Sequence, residues 1–250
     1  MSPARTDLIP AARVESARAG LAADKSVIPA PWTLLAGAAG FAGTAALGAS
    51  FGLLPSPPPI IAPLAALTRY AASNHHAMLA VAWLEGTGTL LQVIFVLSLA
   101  CVASAKAGLA GRLTSVACVA VLGITLVYDV MLIAIAQSAA LSDPQTTTAV
   151  VAYGLFAIVE HVLLIAPPLL LPLGLILLRA PLLPRAFAWL AVILGVLGPV
   201  LGLVGLFTVT ANNNGPTGAA IKALVAAQVL WIAAASIMLL TDVPTSPALR

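Results

Sequence analysis

Apolar residues run along this chain in long blocks, separated by short polar or proline-rich breaks. Strict alternation, the mark of a half-buried strand, is absent, and the blocks are too uniformly apolar for surface helices of a water-soluble domain. A bilayer's hydrocarbon core asks about 20 consecutive apolar residues of a spanning helix. Six blocks meet that length, at about 32–53, 77–103, 112–137, 149–178, 186–208 and 218–241. The expected fold is all-α: a polytopic six-helix transmembrane bundle over residues 32–241, between a polar tail of residues 1–31 and a short tail of residues 242–250.

The breaks carry information of their own. The first tail contains "RVESARAGLAA", a candidate short surface helix. The connection "LLPSPPPIIAPLAALTRYAASNHH" (53–76) is the only long one. Its proline run cannot be helical, whereas "IIAPLAALTRYAA" reads as an amphipathic piece lying on the membrane surface. The other connections are short, so consecutive helices should be antiparallel neighbours. No internal repeat relates the first three helices to the last three, which speaks against an inverted-repeat architecture.

Composition excludes several classes. Hydrophobic residues make up 61% of the chain and charged residues 8%, against about a quarter charged in a soluble domain; the mean hydropathy is +1.10. The chain is expected in the cell membrane as a multi-pass protein, among membrane lipids. Its formal charge of +3 comes from cationic loops and implies no nucleic acid. The two cysteines, Cys101 and Cys118, lie in apolar blocks without a CxxC pair, so they read as small core residues rather than a redox centre. The first thirty residues lack an apolar signal core, and the first spanning helix is expected to act as an uncleaved signal anchor.

Orientation follows from Lys and Arg. Arg5, Arg13, Arg18, Lys25, Lys106, Arg112, Arg179, Arg185 and Arg250 fall on one side of the expected bundle, and only Arg69 and Lys222 on the other. Both termini are therefore expected in the cytoplasm. Ala36, Gly40, Thr44, Gly48 and Gly52 recur every fourth position on the first helix, a small-residue stripe that lets another helix approach closely. That partner helix could belong to the same subunit or to a second copy in a homo-oligomer.

Few side chains in the apolar blocks carry chemistry. Glu85, Asp129 and Glu160 stand on the second, third and fourth helices, each roughly 12–16 Å below the outer boundary at ~1.5 Å per residue. Ionisable groups so deep in hydrocarbon face the bundle interior and pair, protonate or meet water. Glu85 shares its helical stripe with Gly88, Thr89 and Gln92; Asp129 shares its own with Thr125 and Cys118; Glu160 stacks on Tyr153. Pro167 and Pro168 free the carbonyls of Leu163 and Leu164 about a turn beyond Glu160 and His161, and irregular backbone at that depth is tolerated where it lines a cavity. These features predict a polar cavity on the extracytoplasmic side. Glu85, Asp129 and Glu160 would be its catalytic groups, and His161, Tyr153, Gln92, Gln228 and Trp231 its substrate-binding wall. His75 and His76 read as interfacial, and "NNNGPT" (212–217) as a polar turn.

Two functions fit that cavity. The first is a small membrane enzyme of cyclase or isomerase type, acting by acid–base chemistry on a hydrophobic, lipid- or isoprenoid-like substrate, with no cofactor. The second is a proton- or cation-coupled small-molecule transporter using the same carboxylates. A metal site is disfavoured, because no two candidate ligands share the i, i+3 or i, i+4 spacing of helical metal motifs. No metal is expected.

Overall fold

The computed structural model describes residues 30–55, 62–103, 108–139, 169–180, 182–208 and 216–241, with positions 58, 141 and 145 besides. The described residues form seven helices and no strand: α1 (Ala30–Leu53), α2 (Leu64–Ser73), α3 (His75–Val102), α4 (Leu109–Ser138), α5 (Leu170–Arg179), α6 (Arg185–Thr208) and α7 (Pro216–Thr241). Five contain stretches long and apolar enough to cross a membrane: Trp32–Leu53, His75–Val102, Leu109–Ser138, Arg185–Val204 and Ala223–Thr241. Of the expected span at 149–178, the ten-residue apolar helix α5 is described and residues 149–168 are not. The candidate tail helix and most of "NNNGPT" also lie outside the described residues.

The five spans and α5 close into a ring. Each packs on the next in chain order, and α7 returns to α1. Close approaches show that neighbours run antiparallel, as their short connections require. Gly43 of α1 meets Gly88 and Gln92 of α3, while Ser50 reaches back to Glu85. Gly37 lies against Leu240 and Gly40 against Ser236 of α7. Gly174 of α5 faces Ala188 and Val192 of α6, and Gly195 of α6 faces Leu171. Inside the ring, Phe95, Val96, Leu99, Cys118, Leu170, Leu173, Leu177, Trp231 and Ile232 form one apolar core. Outside it, Trp83 (68% exposed), Val119 (73%) and Leu230 (68%) present bare hydrocarbon, a surface suited to lipid and not to water.

Glycine sets the spacing between α1 and α3. A Cβ on Gly43 would stand 2.8 Å from the Gly88 carbonyl oxygen, and one on Gly88 would stand 3.0 Å from the Gly43 carbonyl oxygen. Backbone faces backbone there, so a larger residue could be admitted only by moving a whole helix. The expected stripe is thus only partly used. Ala36 and Gly40 are buried and Thr44 is partly buried, but Gly48 and Gly52 have nothing within 4 Å of a virtual Cβ, and Gly37 and Gly43 carry the contact instead. The physical reason is helical phase: each fourth position is displaced by about 40° around the helix, so Gly48 and Gly52 have turned about 120° and 160° away from Ala36, while Gly43 faces α3 and Gly37 faces α7.

α2 confirms the short helix expected in the long connection. Arg69 is exposed and Ala71 fully buried against Met78, Val81, Leu132 and Ala136. Asn74 joins α2 to α3: its backbone N–H and its side-chain amide both donate to the Tyr70 carbonyl, at 3.0 and 2.8 Å. Its own carbonyl accepts from Met78 N–H at 2.9 Å. α2 therefore caps the bundle at the end opposite Arg112, Arg179 and Arg185, which stand where α4 begins, α5 ends and α6 begins.

The glycine crossing yields a direct contrast. Gly43→Leu should lower the melting temperature of the detergent-solubilised protein, by an overpacking penalty of about 1–3 kcal/mol. Gly48→Leu, on the same helix but facing open space, should leave it unchanged or raise it.

Candidate functional site

Most buried polar side chains in the ring are satisfied locally. The Thr114 hydroxyl donates to the Ala110 carbonyl (2.9 Å), Ser236 to Ile232 (2.7 Å) and Ser138 to Ile135 (3.1 Å). Such bonds to a carbonyl three or four residues back let a hydroxyl sit in hydrocarbon at little expense. The carboxyls of Glu85 and Asp129 cannot use this device, because an ionised carboxylate accepts but does not donate.

Three helices build the site they form. α3 places Glu85 and Gly86 on adjoining faces, about 100° apart. Glu85 turns toward α1, where the Ser50 hydroxyl lies 3.3 Å from its Oε1; the same hydroxyl also donates to the Leu47 carbonyl at 2.8 Å. Gly86 turns toward α4, and the missing side chain leaves a notch that Asp129 fills: a Cβ on Gly86 would stand 2.7 Å from Asp129 Oδ2. Asp129 is 5% exposed, and among the described residues neither of its oxygens has a hydrogen-bond partner. A buried group in that condition bears its full desolvation penalty. Glu85 is only partly buried. The two carboxyls lie within electrostatic reach of each other and of Tyr128, the residue preceding Asp129.

Tyr128 in turn senses Tyr70 of α2. The Tyr70 hydroxyl donates to the Pro55 carbonyl at 2.7 Å, tying the cap to the end of α1. Burial pushes the Tyr70 phenol above its usual range, so it stays a neutral donor. Tyr128 packs against the cluster of Ala71, Met78 and Leu132 beneath the cap.

Two of the three expected acids, Glu85 and Asp129, are brought together. Glu160 lies outside the described residues, as do His161 and Tyr153. Gln92 is buried, with no partner for its Nε2, but stands two turns further along α3 beside the Gly43–Gly88 crossing. Gln228 is partly buried on α7. The register of α7 against α1, with Gly37 opposite Leu240, carries it to about the level of Ser50. Trp231 is 2% exposed, and its indole N–H donates to the Phe187 carbonyl of α6 at 2.9 Å. It packs in the ring's interior. His75 and His76 stack edge-on, with centroids 5.0 Å apart, at the first turn of α3. Among the described residues, no three His, Cys, Asp or Glu side chains converge on a point that could hold a metal ion.

Ser50, Gly86, Tyr128 and Tyr70 were not expected. Ser50 had a readable signal, since antiparallel pairing of the first two spans brings it opposite Glu85. Tyr128 had another in its adjacency to Asp129. The Gly86 notch had none.

A cavity of about 440 Å³ lies at the other end of the ring, between the start of α4 and the end of α5, with Arg179 in its wall. No family model, no curated protein and no solved structure matches this chain.

The notch can be tested through coupling. Gly86→Ala should lower the melting temperature when Asp129 is present and cost much less in an Asp129→Ala background, a coupling of about 1–2 kcal/mol between contacting residues. Asp129→Asn should be at least as stable as the natural protein, because an amide carries no charge to desolvate.

Proposed function

We propose that this protein is a proton-coupled transporter of a small molecule, with the Glu85–Asp129 pair as its coupling site. The observation that carries the reading is the Asp129 carboxyl, almost wholly buried, without a hydrogen-bond partner among the described residues and beside a second carboxyl. Two negative charges side by side in a low dielectric repel strongly, and one proton between them removes the repulsion. Taking up and losing that proton changes the charge inside the contact of α1, α3 and α4, and so changes how tightly those helices pack. Intramembrane carboxyls that pair and protonate are the usual elements of proton relays.

The cell membrane is the proposed site, with both termini in the cytoplasm. Arg112, Arg179 and Arg185 cluster at the end of the ring where α1 begins and α7 ends, and Arg69 stands at the other. The acid pair then belongs to the extracytoplasmic half.

A membrane enzyme is the second reading: acid–base chemistry on a hydrophobic lipid- or isoprenoid-like molecule. The partial exposure of Glu85 favours it, since a general acid must touch its substrate. Packing favours transport. Asp129 fits into the Gly86 notch between helices, a position suited to altering their contact and poorly suited to meeting a bulky substrate.

In reconstituted vesicles, an imposed proton gradient should drive accumulation of at least one member of a panel of small solutes. Glu85→Gln and Asp129→Asn should reduce that uptake by tenfold or more, whereas Gln137→Ala, on an exposed face of α4, should not. Infrared difference spectra between acid and alkaline samples should show a protonated-carboxyl band that disappears in Asp129→Asn. An unchanged band in that variant would sink the proposal. For orientation, in a background with Cys101 and Cys118 replaced by Ser, a membrane-impermeant thiol reagent should label Ser73→Cys in intact cells. It should label Ser26→Cys only after the membrane is permeabilised.

A further inference from the structure

We infer that the cavity at the arginine-bearing end is a binding site for an anionic phospholipid, held by its headgroup phosphate between α4 and α5. This inference is independent of the proton-coupled reading, because it concerns the other end of the ring.

The cavity's lining divides by chemistry. Leu109, Leu113, Leu175 and Ile176 give it hydrocarbon walls. Leu109 (75% exposed), Leu113 (50%) and Leu175 (45%) also face outward, so the walls continue into the lipid-facing surface and an acyl chain can lie along them. At the mouth stands Arg179, exposed on the last turn of α5. Arg112, also exposed, adds a second cation on the first turn of α4. The start of α4 contributes a third element: Gly108 is its N-cap and makes no side-chain cap among the described residues, so the amides of its first turn can donate to an anion. The only acids among the described residues, Glu85 and Asp129, are at the opposite end.

A ligand matching that order of groups carries a phosphate and a hydrocarbon chain in one molecule. A zwitterionic lipid brings its own cation to the two arginines and loses the advantage. Free phosphate leaves the apolar walls unused. Basic recesses between membrane helices hold anionic headgroups by the same logic.

The test uses the full chain purified in detergent, with three probes: dioleoylphosphatidylglycerol, dioleoylphosphatidylcholine and inorganic phosphate. The phosphatidylglycerol should raise the melting temperature and persist as bound lipid in native mass spectra, and the other two should do neither. Arg179→Gln, which keeps much of the side-chain stem and loses the charge, should weaken phosphatidylglycerol binding by about five- to tenfold. Leu113→Trp, which fills the cavity and keeps both arginines, should weaken it as well. Equal binding of phosphatidylcholine would overturn the inference, as would an equal shift with inorganic phosphate or undiminished lipid binding in both variants. Should Arg179→Gln fail to fold, Leu113→Trp decides the matter alone.

Discussion

A polar group in hydrocarbon must find its partner within the protein, and this requirement explains most of what the ring of helices does. Backbone amides and carbonyls meet it by forming helices. Buried serines and threonines meet it by donating to the preceding turn of their own helix. The carboxyl of Asp129 does neither. It is held in place by shape, in the notch left by Gly86, and its charge is left to be dealt with by a neighbour or by a proton. Among the described residues, Asp129 and the amide of Gln92 are where the ring departs from that rule.

The glycines serve the same end from the packing side. In lipid there is no hydrophobic drive to press helices together, so close contact depends on dispersion and on small residues that let backbones meet. At the Gly43–Gly88 crossing α1 and α3 approach to backbone contact, and two turns away along α1 the same pair of helices presents Ser50 to Glu85. The tight crossing and the polar contact belong to one interface. Glu85 therefore sits in the interface where α1 and α3 are least able to give way.

The two ends of the ring have opposite chemistry. One carries both described acids beneath a short amphipathic cap whose tyrosine is tied to the end of α1. The other carries three arginines, a helix start without a side-chain cap and an apolar recess open to the bilayer. α4 spans the whole distance, with Asp129 near one end and the recess near the other.

The helical class, the membrane setting, the bounds of most spans and the grouping of arginines at one end could all be read from the chain alone. These depend on local quantities: length of apolar run, position of prolines, placement of cations between runs. That Glu85 and Asp129 stand at one level was equally legible, because rise per residue converts position into height, and Gly86 meets Asp129 there. Which residues meet at that height was not. The every-fourth stripe on α1 suggested Gly48 and Gly52 as contacts, yet they face open space, while Gly37 and Gly43 make the approach. Contact depends on which neighbours flank each face of a helix, and no single helix's sequence contains that arrangement. For the same reason only the tertiary structure joined Ser50 to Glu85, seated Asp129 against Gly86 and turned Trp231 to the Phe187 carbonyl.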